Sequence, residues 1–395
     1  MKILIIHNRY LERGGEDGVV DSEINLLKQF GHSVIFYEST NKEIDLLPLF
    51  KKIHYLTKDI IWSDKSYKDI KSLVKMNKPD IAQIHNLFYN ISPSVYYALK
   101  EEGVPIVQTL HNYRLICPNG LLYIGVKVCE KCIHGNFHFS FLNKCWRRSY
   151  VLSFFLARML GIHLKKNTFI DNVDFFIALS EFSKNKYIEA GFPKNNLLIK
   201  PNFVEQLSPG RKSFQDYGIF IGRLEDYKGI HTLLAASQKL KNQHFCIIGD
   251  GPLYNQIKER ARMLPNIKLL GRMPYDVTIE YLKNASFLVY PSICYEACGR
   301  SIIEAFACGV PVVASNRGAM KELVKDNVTG ILFEPRNSDD LANKIEHLMQ
   351  NKDLIIKFGE NAYKEYQDKY TPKKNYNMLM EIYKKSLDKA ASTNN

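Results

Sequence analysis

The chain contains no run of about eighteen consecutive apolar residues, so no membrane-crossing helix is expected. Its opening, MKILIIHNRYLERGGED, turns polar before the core of a signal peptide would be complete, and the expectation is a cytoplasmic protein. No D-x-D and no H-E-x-x-H occurs anywhere, which leaves metal-bridged diphosphate binding without an obvious ligand set and argues for no catalytic metal cofactor. A glycine loop, Gly249-Asp250-Gly251, follows an apolar run, but Tyr254 occupies the third glycine position of G-x-G-x-x-G, so hydride-transfer chemistry is weakly signalled. Basic charge is unaccompanied by a stacking-aromatic motif or a reading helix, and no nucleic-acid partner is expected. Eight cysteines in a cytoplasmic chain do not form a disulfide framework, and Cys246, Cys294, Cys298 and Cys308 read as small buried apolar residues.

What remains is informative. The 395 residues suffice for two full cores, and 46% apolar with 24% charged residues matches a globular protein. A net charge of +13 suits an anionic membrane surface or phosphorylated substrates. Apolar strand-like runs alternate with helical periodicity from end to end, the pattern of parallel sheets with crossover helices. In the first half the runs are Ile3–His7, Ser33–Tyr37, Ile81–His85, Ile106–Leu110, Phe175–Leu179 and Leu197–Lys200. In the second they are Gly218–Ile221, Phe245–Ile248, Ile267–Leu269, Phe287–Tyr290, Val310–Ala314 and Ile331–Phe333. Residues 201–216, with two prolines and no period, read as the linker. The expected fold class is α/β: two Rossmann-like domains, 1–203 and 204–370, facing a cleft. A C-terminal segment, 371–395, carries Tyr376, Leu379, Tyr383 and Leu387 on one helix face and is expected to cross back to the first domain, with AASTNN frayed. Ligands of such sheets bind beyond the carboxyl ends of the strands.

Several residues at those ends carry chemistry. Glu296 and Glu304 flank a loop-to-helix turn at Gly299, where bare N–H groups of the first helical turn suit an anion; the plainer alternative is an ordinary strand–helix–strand unit with a solvated Glu304. Gly14 and Gly15 precede the first helix and either expose backbone N–H groups to a ligand or form a simple loop. Arg223 and Lys228 follow the first strand of the second half and suit a diphosphate, unless both are solvated surface cations. His111 ends a buried strand beside Asn112, Tyr113 and Arg114, a polar cluster that favours a ligand-facing role, while His85 and Asn86 are weaker candidates.

Taken in order, these motifs resemble the retaining glycosyltransferases of family 4, with the GT-B fold. The resemblance runs through Gly14–Glu16, His85–Asn86, Thr109–Asn119, Leu179–Lys184, Pro201–Asn202, Ile221–Gly229, Gly249–Pro252 and the E-x7-E stretch of Glu296 and Glu304. It implies that Glu304 bonds ribose hydroxyls, that Glu296 lies beside the donor sugar, and that the N–H groups of Arg300 and Ser301 hold the distal phosphate. Arg223 and Lys228 would neutralise that phosphate, His111 would touch the sugar, Gly15 would let its loop reach the diphosphate, and backbone near Arg272 and Met273 would meet the base. The implied donor is a nucleotide diphosphate hexose, UDP ahead of GDP, and the acceptor a glycan or lipid-linked glycan of the cell surface. Relatives usually read EGFG where this chain reads Glu296-Ala297-Cys298-Gly299, which bears on sugar preference, and Asn112 stands where many have aspartate. A sugar-nucleotide hydrolase or epimerase of the same fold, and a catalytically silent subunit of a glycan-synthesis complex, are the alternatives.

Two further features lie in the expected insertion 112–148 and just after it. Cys117, Cys129, Cys132 and Cys145 follow C-x11-C-x2-C-x12-C, a spacing open to a structural zinc, with His134 and His138 as alternative ligands, or to four buried thiols. Residues 145–166 are apolar and flanked by Trp146, Arg147, Arg148, Lys165 and Lys166, which reads either as a core helix or as a segment that lies on an anionic membrane. The second reading would put the protein peripherally on the inner face of the cell membrane.

Overall fold

The computed structural model describes residues 1–12, 14–205, 207 and 214–393. Two compact units emerge: Met1–Ile124, Cys129–Pro201 and the chain from Asn375 onward form the first, while Gly125–Val128 and Asn202–Lys374 form the second. Each holds a six-stranded sheet, parallel throughout, so the α/β expectation is met.

The first sheet runs in the order Ser33–Thr40, Lys2–Arg9, Ile81–Ile84, Ile106–Leu110, Phe175–Ala178, Leu197–Ile199. All six expected strands are present, Ile106–Leu110 with both ends as expected and the others with an end shifted by at most three residues. The helix Gly15–Gln29 covers it with a stripe of Val20, Ile24 and Leu27, spaced as a helix requires to bury one face. The helix Pro372–Thr393 closes the same core, bringing Leu379, Ile382 and Tyr383 against Ile3, Ile5 and Ile177. The C-terminal segment is therefore part of the first unit rather than a separate element. Its helix continues through Thr393, where fraying was expected, and Asn394 and Asn395 lie outside the described residues.

The second sheet is ordered Ile267–Gly271, His244–Ile248, Gln215–Ile221, Ala285–Tyr290, Val312–Ser315, Gly330–Phe333. Its near-continuous apolar strands are explained by two cores. Alternate residues point to opposite faces, so Ile219, Ile248, Leu288 and Val312 pack with the helices Arg300–Ala307 and Lys352–Lys369. Phe220, Ile247, Val289 and Val313 pack on the other side with Ile230–Ser237 and Ser338–Gln350. Burying Ile302 and Phe306 of the helix Arg300–Ala307 contributes about 1.5–3 kcal/mol each, which anchors the helix whose first turn bears the candidate site. Of the expected linker, residues 206 and 208–213 lie outside the described residues.

Candidate active site

In the second unit the candidate residues gather at the carboxyl ends of the strands. The strand Gln215–Ile221 ends before Arg223, whose Nε contacts Glu225 Oε1 at 3.1 Å. A single turn, Asp226–Lys228, then presents Lys228, and its Nζ lies 2.7 Å from Glu296 Oε1. Ser292 Oγ donates to the same carboxylate oxygen at 2.7 Å. Two glycine contacts force this meeting. Gly229 has φ of +71°, and a Cβ there would stand 1.8 Å from the Pro291 carbonyl oxygen. The turn is consequently pressed onto the loop that carries Glu296, with Ile293 N–H donating to the Tyr227 carbonyl at 2.8 Å and Ser292 Oγ 3.1 Å from the same oxygen. Gly251, with φ of +155°, likewise lets its loop close on Leu224, whose N–H donates to the Asp250 carbonyl at 2.9 Å. The glycine loop 249–251 thus serves as a brace for the Arg223 segment.

The electrostatics follow from burial. Desolvation works against the Lys228 ammonium, but the Glu296 carboxylate together with Tyr290, Tyr227 and Cys294 outweighs it and raises the lysine well above its ordinary value, so Lys228 is charged. The rings of Tyr227 and Tyr290 each lie 5.7 Å from Lys228 Nζ. Gly299 caps the helix Arg300–Ala307, and one turn in, Glu304 is buried and accepts from Arg300 Nε at 3.0 Å. Burial raises the Glu304 carboxyl above the ordinary glutamate value, with Arg300 opposing. Arg300 also lies over the Tyr275 ring. Ser301 follows at the helix start, its Oγ 3.4 Å from the Ile221 carbonyl. Arg272 and Met273 lie just past the strand Ile267–Gly271, the arginine exposed and the methionine packed on the core. Ala297 is buried and Cys298 packs against the core, its thiol pushed up to about 12 by burial.

In the first unit the candidates are Gly14, Gly15 and His111. Gly14 caps the helix Gly15–Gln29 and donates its N–H to Asp17 Oδ2 at 2.9 Å, while Asp17 Oδ1 lies 2.8 Å from His7 Nε2. Among the described residues, chain neighbours aside, no atom lies within 4 Å of where a Cβ would project from either glycine. His111 stands at the end of Ile106–Leu110 with Nε2 2.8 Å from His85 Nδ1, and burial lowers its pKa well below the ordinary histidine value. Asn112 Nδ2 donates to Glu16 Oε2 at 3.3 Å, and Tyr10 Oη donates to that oxygen at 2.8 Å.

Cys117, Cys129 and Cys145 lie close enough to Cys132 to act on its thiol, so the four clustered cysteines are neighbours in space. All four sulfurs are free thiols, and among the described residues no group of three or more His, Cys, Asp or Glu is placed to hold a metal ion. Cys117 donates to Asn119 Oδ1 at 3.0 Å, and burial, reinforced by the neighbouring thiols, pushes Cys132 up to about 12. Reading by motif also missed Glu23 and Lys200 in the first unit and Ser292 and Tyr275 in the second. For Glu23 a signal existed, since an acid falls on the apolar stripe between Val20 and Ile24.

Solved structures share this architecture. Sucrose-phosphate synthase of Thermosynechococcus elongatus superposes with a TM-score of 0.71 at 17% identity, covering 97% of this chain and 98% of that one. Anabaena HepE, in complex with UDP, gives 0.66 at 19% identity, covering 96% and 99%. The fold is GT-B. The family model for glycosyl transferases group 1 matches residues 206–365, and that for glycosyltransferase family 4 matches residues 14–206. An uncharacterised glycosyltransferase of Methanocaldococcus jannaschii is 26% identical over 393 residues, spanning 98% of this chain and 99% of its own. This chain belongs to the family 4-like glycosyltransferases and is a glycosyltransferase.

Proposed function

We propose that the protein transfers a hexose from a uridine diphosphate sugar, with retention of configuration, to a glycan or lipid-linked glycan acceptor in cell-surface polysaccharide synthesis. The observation that carries this reading is the juxtaposition of Lys228 with Glu296, 2.7 Å apart and partly shielded from solvent, at the carboxyl end of a parallel sheet. Cleaving a sugar from a diphosphate builds negative charge on the leaving phosphate, and fixed cations with helix N–H groups stabilise that charge without solvent reorganisation. Lys228, Arg223 and the N–H groups of Arg300 and Ser301 are the donors for it. Glu304 takes the ribose hydroxyls, Glu296 faces the sugar while holding Lys228, and the backbone at Arg272 and Met273 meets the base. The exposed backbone of Gly14 and Gly15 suits a phosphate oxygen, and His111 suits a sugar hydroxyl. UDP is favoured over GDP because Anabaena HepE, of the same fold, was crystallised with UDP.

The test is ligand-induced stabilisation. UDP is expected to raise the melting temperature more than GDP at equal concentration. Glu304→Ala should weaken UDP binding by about tenfold to a hundredfold, the worth of hydrogen bonds to a charged group. Equal shifts with both nucleotides, or none, would remove the donor assignment.

The acceptor side has its own support in the first unit. No helix among the described residues is long and apolar enough to cross a membrane. The helix Tyr150–Lys165 buries Leu156, Met159 and Leu160 yet exposes Tyr150 by 54% and Phe154 by 47%, and Phe50, on the helix Leu49–His54 that leads into the turn Tyr55–Asp59 contacting it, is 68% exposed. Exposed Lys144, Arg147, Arg148 and Lys51 accompany them. Trp146, expected among the flanking residues of this segment, is instead buried against Tyr89 and takes no part. Apolar side chains among cations suit an anionic bilayer surface, where each cation contributes about 1 kcal/mol. Wild-type protein is expected to float with phosphatidylglycerol vesicles, and Phe154→Glu to float several-fold less; wild-type protein that stays unbound would end the membrane reading.

A further inference from the structure

His111 is linked to a buried carboxylate through a second histidine, and the chain of contacts has a definite polarity. Glu23, on the buried face of its helix, has both oxygens engaged. Oε2 accepts from Lys200 Nζ at 2.6 Å, and Oε1 accepts from Gln83 Nε2 at 2.6 Å and faces His85 Nε2 at 3.3 Å. Desolvation opposes its ionisation, but the Lys200 charge and His85 hold its carboxyl well below the ordinary range, so it is a carboxylate and offers only acceptors. The His85 Nε2 contact lies off the ideal hydrogen-bond line, and among the described residues that nitrogen has no better partner. A lone pair aimed at a carboxylate would be repulsive, so Nε2 carries the proton. Burial lowers the pKa of His85 and, more strongly, of His111, so both rings are neutral and each carries one proton.

The consequence propagates. With its proton on Nε2, His85 has a bare Nδ1, which lies 2.8 Å from His111 Nε2. His111 must therefore place its own proton on Nε2 and donate it to His85. The two rings lie nearly parallel, 22° apart in plane and 5.1 Å between centroids. His111 is left with an unprotonated Nδ1, and the residue is only partly buried.

We propose that Glu23 acts through His85 as a positioning residue that fixes His111 in the Nε2–H tautomer, so that His111 presents a hydrogen-bond acceptor to substrate. It then recognises a group that donates, a sugar hydroxyl, and disfavours a sugar lacking one there. This rests on the proposed function only in taking the partner to be a sugar; the tautomer is a property of the free protein. A neutral histidine that accepts is a different specificity element from an imidazolium that donates, since a hydroxyl opposite it is oriented with its proton toward the ring.

The experiment is long-range 1H–15N NMR on the full chain labelled at histidine, without substrate, with His111 assigned by loss of its signals in His111→Gln. The expected spectrum has protonated Nε2 and bare Nδ1, unchanged between pH 6 and 8. In His85→Phe, which keeps an aromatic ring for the stack but removes the acceptor, the His111 nitrogens should move toward the average of two exchanging tautomers. Glu23→Gln should perturb His111 in the same direction, without itself touching that ring. A proton on Nδ1 in the wild-type chain overturns the proposal, and the wild-type spectrum decides this even if a variant fails to fold. Unchanged His111 shifts in a folded His85→Phe also overturn it. A missing UDP stabilisation would defeat the donor reading and leave this result standing.

Discussion

Lys228→Ala is expected to lower the rate of sugar transfer by about a hundredfold to a thousandfold, as when one preorganised charge-stabilising donor is removed elsewhere. The loss should appear in kcat more than in KM, because the charge that Lys228 meets grows as the glycosidic bond breaks. Circular dichroism and the denaturation midpoint should stay near wild type, since the turn is held by Gly229 against Pro291 and by bonds to the Tyr227 carbonyl rather than by the lysine side chain. Glu296→Ala should cost a comparable factor for a different reason. It leaves the Lys228 ammonium between the Tyr227 and Tyr290 rings without its carboxylate, and the lysine loses the partner that keeps it charged and placed. Initial rates with a uridine diphosphate hexose decide the matter. Wild-type rates in both folded variants would disprove the site assignment.

The second large effect concerns stability. Lys200→Met is expected to destabilise the first unit by about 3–5 kcal/mol, because it strands a carboxylate in the interior. Lys200 and Glu23 are both nearly inaccessible to solvent, and the lysine also donates to Asn375 Oδ1 at 3.1 Å. Adding Glu23→Gln to Lys200→Met should recover much of the loss, since a neutral amide costs less to bury than an unpaired charge. Urea unfolding followed by fluorescence measures both; equal destabilisation of single and double variants would refute the stranded-charge account. The pH dependence has a defined sign. The folded Glu23 carboxyl lies below its ordinary value of 4.5, so its contribution is fully present above pH 4.5 and fades as the pH falls further below it. Wild-type protein should therefore lose stability on acidification below about pH 4.5, and the double variant should lack that component.

Much of this architecture was legible from residue order alone. The twelve strands of the two six-stranded sheets appear as apolar runs, most plainly the central Ile81–Ile84, Ile106–Leu110 and Ala285–Tyr290, which are buried on both faces and have no polar alternation to obscure them. Glu296, Lys228 and Glu304 could be singled out because local patterns, a strand end and a helix start, announce them. Their pairing could not, because it depends on how closely the turn at Gly229 approaches Pro291, sixty or so residues away in sequence. The cysteine spacing fixes only how far apart the sulfurs are along the chain; that the other three act on the Cys132 thiol is a product of packing that the spacing does not show. Glu23 was overlooked because a glutamate in a helix is ordinarily solvated, and only the tertiary arrangement shows it facing Lys200, Gln83 and His85.

The helix Pro372–Thr393 has a consequence for synthesis. The first unit borrows Leu379, Ile382 and Tyr383 from the end of the chain, and Tyr383 Oη donates to Gln83, the neighbour of the Glu23 carboxylate. A chain stopped after Pro201 is thus not that unit but a version of it with an open flank. On the ribosome the order of completion is inverted: the second unit has every residue it needs by Lys374, while the unit that began first is still waiting for its last helix.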